Sequence, residues 1–459
     1  MFKKFIGNKK FYKSLFLIVI PIVLQQFITQ FVALLDNLMI GRVGNDEMIG
    51  VSLGNQLLFV FNLCIFGCLS GASIFATQFF GAQDKEGYQE TMRFKLLMGM
   101  IIFVISLTIF LVFNEQLLSS FINSSEGEYS NPDVVLASGK QYLKVMLIGI
   151  LPFIIKEIYA TSLREMRETM FPMISGVVAI FVNLIINYLL IFGSFGFPKL
   201  GIVGAAIGTV VSRFVEMLLV VIYAHLKVKR FPYFKGVYRK PIVGFKSFKK
   251  FLPMTLLLLS NELFWSLGLT FIVQSYSYRG LDVVGALNIC NTVNNVFITI
   301  GTSLGNATAI ILGNLLGANK NDEAKETSYK ILFASLVFST VFAILEICSS
   351  FFVPNIYNTG DGIKQMAREM IIIASIFLPF HAFNTCCYFT LRAGGKMILT
   401  ILFDSVFVWG VRLPIAFFLS KYSSLSILFV FGIADGIDAV KAIAGYILVD
   451  KGIWLKKIV

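Results

Sequence analysis

Charged residues are scarce in this sequence, and their scarcity excludes a soluble protein of this size. Asp, Glu, Lys and Arg make up 14% of the 459 residues, whereas 57% are hydrophobic. The mean hydropathy is +0.80, while an ordinary soluble domain contains about 25% charged residues. The composition therefore predicts an integral membrane protein with many apolar segments.

Histidine is nearly missing, and no cysteine lies in a loop. The histidines are His225 and His381. All six cysteines fall inside apolar runs, at Cys64, Cys68, Cys290, Cys348, Cys386 and Cys387. The spacing of a metal site or a disulfide framework is absent, and no Walker pattern of Gly-x-x-x-x-Gly-Lys-Ser/Thr occurs. We therefore expect no cofactor, no nucleotide-driven motor and no enzyme, because a membrane enzyme would need clustered acids or histidines at a membrane face.

Long apolar runs are what the sequence has in abundance. Each is close to the roughly 20 residues that a helix needs to cross a ~30 Å hydrocarbon core. The alternating pattern of membrane β-strands is absent, so helices are the spanning elements that the pattern allows. The predicted spans are 15–40, 51–79, 96–113, 141–162, 172–193, 201–224, 252–275, 283–314, 331–353, 370–391, 398–419 and 426–449. The sequence thus predicts an all-α polytopic membrane protein with twelve transmembrane helices.

The placement of charge predicts the orientation in the membrane. Segment 225–250 carries nine basic residues and no acid, whereas 114–139 carries four acids and no base. By the positive-inside rule, the 225–250 linker and both termini are cytoplasmic and the 114–139 loop is external. The expected location is the plasma (cytoplasmic) membrane. A net charge of +13 is typical of some nucleic-acid binders, but its confinement to alternate loops argues against a nucleic-acid partner.

Matching residues at one offset indicate an internal duplication. The segment 79–84 (FFGAQD) corresponds to 315–320 (LLGANK), and at the same offset of 236 Asn55 falls on Asn291. The predicted organisation is an amino-terminal six-helix lobe (1–224), a basic cytoplasmic linker (225–250) and a carboxy-terminal six-helix lobe (251–459). Because six spans separate equivalent positions, the two lobes have the same orientation in the membrane.

Polar residues within the apolar spans are the candidate functional residues. Asp36 lies in the first span, where an ionisable side chain costs about 2.5–3.5 kcal/mol on insertion scales and is rarely kept without a partner or a task. Gln25 and Thr29 share its helical face. In the fifth span, Asn183 and Asn187 are one turn apart. The alternative reading for these polar residues is interhelical hydrogen bonding, worth about 0.6 kcal/mol per bond.

The order of motifs along the chain resembles the multidrug and toxic compound extrusion (MATE) family. The motifs are Pro21 with Gln25 and Asp36, 67–81 (GCLSGASIFATQFFG), Pro253 with Asn261, Glu262, Trp265 and Gly268, 313–317 (GNLLG), 391–395 (LRAGG), and Asp404 with Trp409 and Pro414. Each motif is weak alone, but their spacing covers nearly the whole chain. The resemblance implies the two-lobed fold of multidrug, oligosaccharide-lipid and polysaccharide exporters.

The resemblance also implies a cation-coupling site in the amino-terminal lobe. In that family an aspartate of the first helix, two polar residues of the fifth and a threonine of the sixth form the site. Carried over, these are Asp36, Asn183, Asn187 and Thr209, which would bind Na⁺ or H⁺. A carboxylate with carbonyl and hydroxyl oxygens suits Na⁺, whereas an isolated carboxylate suits proton exchange. Some members have a second acid at the position of Asn187, so the amide leaves the identity of the ion open.

A second polar set is expected in the carboxy-terminal lobe. Glu262 resembles an acidic position of the seventh span in many members. His381 falls where some members have an aspartate. A histidine cannot supply a carboxylate ligand, but an imidazole permits a proton switch near neutral pH. The alternative for His381 is a structural, hydrogen-bonded role within the helix bundle. The residues expected to line the substrate cavity are Gln25, Asn261, Glu262, His381, Asn384 and Tyr388.

The function implied by the resemblance is secondary active antiport. The expected substrates are amphipathic, cationic small molecules such as drugs and toxins, exported in exchange for Na⁺ or H⁺ by a monomer surrounded by membrane lipids. The alternative is a flippase for a lipid-linked oligosaccharide or another lipid. A flippase would need several cations in the central spans to hold a pyrophosphate, and Lys156 and Arg213 are the strong candidates.

Other charges in the spans are predicted to have a gating or a structural role. We expect Arg213 to pair with Glu216, three residues away on one helix. Lys156 and Glu157 are adjacent and point in different directions, so each is expected to have its own partner or to face a water-filled cavity. Asp404 is expected to cap backbone or to pair with Arg392.

Overall fold

Helices form nearly all the regular structure of this protein. A computed structural model describes residues 4–122, 131–240, 243–357 and 359–459, and these residues contain no β-strand. The twelve predicted spans correspond to twelve helical segments. In chain order, these segments are Lys9–Gly41, Asn45–Gly81, Lys85–Val112, Pro132–Met146 continued by Ile150–Glu165, Met170–Phe192, Ile202–Leu226, Phe245–Ser277, Leu281–Phe297 continued by Thr299–Gly317, Asn321–Ser350, Asp361–Ala393, Met397–Ile401 continued to Leu413–Tyr422, and Ile427–Asp450.

The prediction of twelve helices is confirmed, although two segments differ from simple apolar spans. Ten helices in the described residues are long and apolar enough to cross a membrane. The fourth segment is interrupted by a 3₁₀ turn at Leu147–Gly149. The twelfth is too charged to count among these ten, because every 18-residue stretch of it contains Asp435, Asp438 and Lys441. Charged side chains at such depth are a marker of function in membrane helices.

Residues of the chain group into two compact units. The amino-terminal unit comprises Leu24–Ala76 and Lys85–Thr255; the carboxy-terminal unit comprises Leu256–Val459, Thr77–Asp84 and the chain up to Val23. The first helix therefore contributes to both units and changes from one to the other just after Pro21. The lobe boundaries 1–224, 225–250 and 251–459 stay a prediction.

Each unit has its own apolar core. Ile65, Ile150 and Ile154 are among the buried residues of the amino-terminal core. In the carboxy-terminal unit, Leu304 and Leu391 belong to one cluster of buried side chains. Because lipid is as apolar as these side chains, close packing rather than exclusion from water holds such helices together.

The duplicated motif has equivalent geometry in its two copies, both of which lie in the carboxy-terminal unit. A Cβ atom on Gly81 would lie 1.9 Å from the carbonyl oxygen of Asn314, and one on Gly317 would lie 1.9 Å from that of Gln78. Only glycine allows this approach of one backbone to another. The 236-residue offset maps Gly81 onto Gly317 and Gln78 onto Asn314. The contact of Gly81 with Asn314 and the contact of Gly317 with Gln78 are therefore equivalent under the duplication.

The turns that follow these glycines also match. Gln83 and Asn319 both have a left-handed backbone, with φ of 58° and 59°. Non-glycine residues rarely adopt this conformation. Its recurrence at positions 236 residues apart agrees with the duplication inferred from the sequence.

Candidate cation-coupling and substrate sites

The aspartate of the first helix lies against the fifth helix in the amino-terminal unit. Asn187 Nδ2 donates a hydrogen bond to Asp36 Oδ1 at 2.8 Å. The Asn187 side chain is fully buried, whereas Asp36 is half-buried. An amide donor fixes the orientation of the carboxylate but adds no charge. Asp36 therefore keeps its negative charge available to a cation.

The other two predicted residues of this site complete the group. Asn187 Nδ2 is 3.3 Å from Asn183 Oδ1, and Asn183 Nδ2 donates to Thr209 Oγ1 at 3.3 Å. With its amide reversed, Asn183 instead donates to Asp36 Oδ1 at 3.1 Å and accepts from the backbone N–H of Thr209 at 3.2 Å. The structure thus brings together all four residues, from three helices that are distant in the sequence.

One oxygen of this group has no hydrogen-bond partner. Asn187 Oδ1 is buried and unpartnered, and it lies against the sixth helix at Gly208, where a Cβ atom would be 2.0 Å away. The group therefore offers carboxylate, amide and hydroxyl oxygens, which are the ligand types that hard cations prefer. Among the described residues, no group of three or more His, Cys, Asp or Glu is arranged to hold a metal ion, and the Asp36 group contains one carboxylate.

Gln25 lies apart from the Asp36 group. Its Oε1 accepts from Arg164 Nη2 at 3.0 Å, and its Nε2 is 3.4 Å from the carbonyl oxygen of Pro172. Thr29 is exposed, and its hydroxyl donates to the carbonyl of Gln25. Gln25 therefore links the first helix to the fourth and fifth helices. The predicted polar face of the first helix contacts Arg164 and Pro172 at Gln25 and Asn187 at Asp36.

The ion pairs of the fourth and sixth helices differ from those predicted. Lys156 Nζ is 2.5 Å from Glu157 Oε1 and 3.5 Å from Glu216 Oε2. Adjacent Lys156 and Glu157 were expected to have separate partners, but their long side chains bend towards each other. Arg213 was expected to pair with Glu216, but Arg213 Nη1 lies 3.4 Å from the carbonyl oxygen of Gly149, because Lys156 reaches Glu216 from the neighbouring helix.

Glu262 is the centre of a buried group in the carboxy-terminal unit. Its Oε1 accepts from the Tyr388 hydroxyl at 3.2 Å and lies 3.8 Å from Arg392 Nη1. The three residues are at most 9% exposed. The pairing with Arg392 corrects the prediction that Arg392 pairs with Asp404.

Asn261 connects the seventh helix to the eleventh. Its Nδ2 donates to Asp404 Oδ2 at 3.1 Å, and its Oδ1 accepts from the Ser405 hydroxyl at 2.7 Å. Asp404 Oδ1 is 3.6 Å from Lys441 Nζ. Asp404 was expected to cap backbone or to pair with Arg392; Lys441 of the twelfth helix holds it instead, because the two helices bring these side chains together.

His381 and Asn384 belong to a different group, facing the twelfth helix. His381 Nδ1 is 3.6 Å from Asp438 Oδ2, and Asn384 Nδ2 donates to the carbonyl oxygen of Asp438 at 2.8 Å. One turn away, Asp435 pairs with Arg412 of the eleventh helix. The predicted cavity residues of this unit therefore divide into a Glu262 group and an Asp438 group.

The sequence alone did not identify five charged residues of the carboxy-terminal unit as candidate functional residues. They are Glu346, Arg412, Asp435, Asp438 and Lys441. All lie inside or beside predicted spans, so the rule that identified Asp36, an ionisable side chain at membrane depth, also applied to them. Their pairing partners lie on other helices, and no spacing along the chain indicates them.

An aromatic pocket also lies in the carboxy-terminal unit. Its volume is ≈430 Å³, within the range of small-molecule sites. The residues that line it include Phe271, Tyr278, Trp409, Phe417 and Phe418. Aromatic faces attract organic cations as well as apolar groups.

Comparisons with known proteins agree with this architecture. The MatE family model matches residues 21–189 and 257–418. The probable multidrug resistance protein YoeA of Bacillus subtilis is 25% identical over 458 residues, covering 97% of this chain and 95% of that protein. The probable multidrug resistance protein NorM of Thermotoga maritima is 24% identical over 416 residues, covering 91% and 87%.

A solved structure shares the fold over the whole length. It is described as the outward-facing conformation of a multidrug resistance MATE family transporter of the MOP superfamily. The alignment has a TM-score of 0.85 at 17% identity and covers 98% of both chains. Because the family model matches well over half of its residues, the chain belongs to the MatE family of transporters.

Proposed function

We propose that this protein is a secondary active antiporter that exports amphipathic, cationic small molecules in exchange for Na⁺ or H⁺. The observation that carries the proposal is the hydrogen bond between buried Asn187 and Asp36, which sets one carboxylate at membrane depth among neutral oxygen ligands. The names of the relatives, probable multidrug resistance proteins, support the export of drug-like molecules.

Asp36 is the proposed coupling residue. Asn183, Asn187 and Thr209 surround it with neutral groups, so it is the one formal charge of the site. Either Na⁺ or H⁺ would neutralise that charge, and the loss of charge would change the interactions of the first helix with the fifth. Coupled transport requires that ion binding change the balance between two conformations of the transporter. An ion can do this only if it binds one conformation more tightly than the other.

The substrate chemistry is proposed from the carboxy-terminal unit. The Glu262 carboxylate would attract a cationic group, and the aromatic pocket near Trp409 would accept flat apolar parts of a substrate. Methionine and phenylalanine side chains adapt to ligands of varied shape. Both features favour organic cations over anionic substrates.

A lipid-linked pyrophosphate is a poorer fit to the described residues. Lys156 is already paired with Glu157 and Glu216, and Arg213 lies against the carbonyl of Gly149. Arg392 is close to Glu262. A flippase that binds pyrophosphate would need such cations to be free for the ligand, whereas each of these contacts an acid or a carbonyl oxygen of the protein. Antiport of cations is therefore the better proposal.

The setting of the protein is part of the proposal. We place it in the plasma membrane with both termini in the cytoplasm, acting as a monomer among membrane lipids, without a cofactor and without nucleic acid. The charge of the 225–250 linker supports this orientation.

Dye efflux from reconstituted vesicles tests the function directly. Purified protein would be placed in vesicles loaded with a fluorescent organic cation, and Na⁺ and pH gradients would be imposed in turn. Efflux that requires one of the gradients is expected. Equal dye movement with and without both gradients would contradict antiport.

A further inference from the structure

Glu346 is a buried acid that plays no part in the sites described above. It lies in the ninth helix, Asn321–Ser350, within the carboxy-terminal unit. The side chain is 0% exposed, and neither carboxylate oxygen has a hydrogen-bond partner. An ionised carboxylate without a partner is among the most costly groups to bury, and such a group is neutralised instead. Its environment therefore favours the neutral acid.

The neighbouring serine points to the same form of Glu346. Ser375 of the tenth helix faces the carboxyl group, but its hydroxyl donates to the carbonyl oxygen of Ile371 at 2.7 Å. A serine hydroxyl has one hydrogen to donate. Since that hydrogen is committed to Ile371, Ser375 can only accept a hydrogen bond from Glu346. A carboxyl group donates only when it holds a proton.

The surrounding charges also favour a proton. Asp435 of the twelfth helix is close enough to Glu346 for the two charges to repel each other. Both acids are also near the buried thiol of Cys290 in the eighth helix, so the three side chains share one region of the unit. Asp435 is paired with Arg412. Arg412 therefore neutralises Asp435, and it is not a counter-charge for Glu346.

The region around Glu346 has fewer basic side chains of its own than acidic ones, unlike the Glu262 group of the same unit. Glu346, Asp435 and Asp438 are three acids. The basic groups near them are Arg412, the imidazole of His381 and Lys441, and Lys441 is shared with Asp404. In the other group, Glu262 with Arg392 and Asp404 with Lys441 give two acids and two bases. The excess of acid is on the side of Glu346.

We propose that Glu346 is a proton-binding site of the carboxy-terminal unit, separate from Asp36. Its carboxylate takes up one proton from water and becomes a carboxyl group that donates a hydrogen bond to Ser375 Oγ. The site holds its proton whether or not Asp36 couples transport, so this inference does not depend on the proposed function.

Infrared difference spectroscopy on the full-length protein in lipid nanodiscs tests this site. The spectra would be recorded in an Asp36→Asn background, which removes the acid of the proposed coupling site. We expect a carboxylic acid C=O band at neutral pH that disappears on adding Glu346→Gln. The band should remain with Glu369→Gln, which removes a half-exposed acid of the tenth helix that accepts a hydrogen bond from Gln365. A band that survives Glu346→Gln would overturn the proposal.

A second variant tests the hydrogen bond and does not rely on the folding of Glu346→Gln. Ser375→Ala removes the proposed acceptor, so the C=O band assigned to Glu346 should move to higher frequency. An unmoved band would contradict the assignment. Addition of Na⁺ should leave the band unchanged; if Na⁺ converts it to a carboxylate band, Glu346 is a sodium ligand and the proton site is wrong.

Discussion

Asn187 holds Asp36 through a hydrogen bond of 2.8 Å while its own Oδ1 lies against the backbone of the sixth helix. Gly208 makes this possible, because a Cβ atom there would be 2.0 Å from Asn187 Oδ1. The position of the amide that contacts Asp36 therefore depends on a residue without a side chain.

Replacing that glycine should disturb the site without touching any polar group. In Gly208→Ala the added methyl displaces Asn187, and overpacking of this kind costs about 1–3 kcal/mol. We expect initial efflux rates per inserted protein to fall several-fold. Gly285→Ala is the matched control, since its nearest neighbour would be at 3.5 Å and its rate should be unchanged. Normal efflux by Gly208→Ala would show that the position of Asn187 is not critical.

The paired glycines of the duplicated motif should be sensitive to any side chain. Gly81→Ala and Gly317→Ala each place a methyl 1.9 Å from a carbonyl oxygen, so the backbones must separate. Thermal unfolding in detergent should show a lower Tm for each, with a loss of about 1–3 kcal/mol. Gly432→Ala, with its nearest atom at 3.6 Å, should melt with the wild type. A normal Tm for both variants would rule out the close approach.

The Glu262 group offers a test by double substitution. Glu262→Gln should weaken binding of cationic dyes, in part because Arg392 loses its acidic neighbour at 3.8 Å. Arg392→Gln alone leaves Glu262 unpaired and should destabilise the protein. Thermal unfolding of the single and double variants gives the coupling energy of the pair. Additive effects on stability would mean that the two charges do not interact.

Twelve helices and the duplication could be predicted from the sequence because both depend on local patterns. Apolar length identifies a span, and a fixed offset identifies a repeat. The π-helical turns at Leu402–Val406 and Val408–Arg412 could not be predicted, because no apolar period distinguishes them from α-helix.

The sequence predicted which residues form the candidate site better than it predicted which of them contact each other. Asp36 and Asn187 are 151 positions apart, and only the family resemblance placed them together. Arg392 with Glu262 and Lys441 with Asp404 were missed because the choice among partners depends on how helices are rotated against each other. Lys156 with Glu157 was missed because the side chains of adjacent residues leave a helix in different directions, and only their length lets them meet. Sequence spacing constrains pairs within one helix and says nothing about that rotation.

Loop charge makes a prediction about orientation that does not depend on the sites. Single cysteines would be introduced at Ser124, which lies outside the described residues, and at Ser247 in the basic 225–250 linker. An impermeant thiol reagent added to intact cells should label the first and spare the second. The unsubstituted chain, with its six native cysteines, gives the background. Labelling at Ser247 alone would reverse the orientation.

The central claim is that Asp36 carries the coupling charge, and Asp36→Asn in reconstituted vesicles tests it most directly. The amide keeps the shape of the side chain and removes the charge that a cation would neutralise. Size-exclusion chromatography and thermal unfolding would first establish that the variant is folded. We predict that dye efflux driven by the Na⁺ or pH gradient is lost. Efflux at the wild-type rate under the same gradient would show that Asp36 is structural and that the coupling site lies elsewhere.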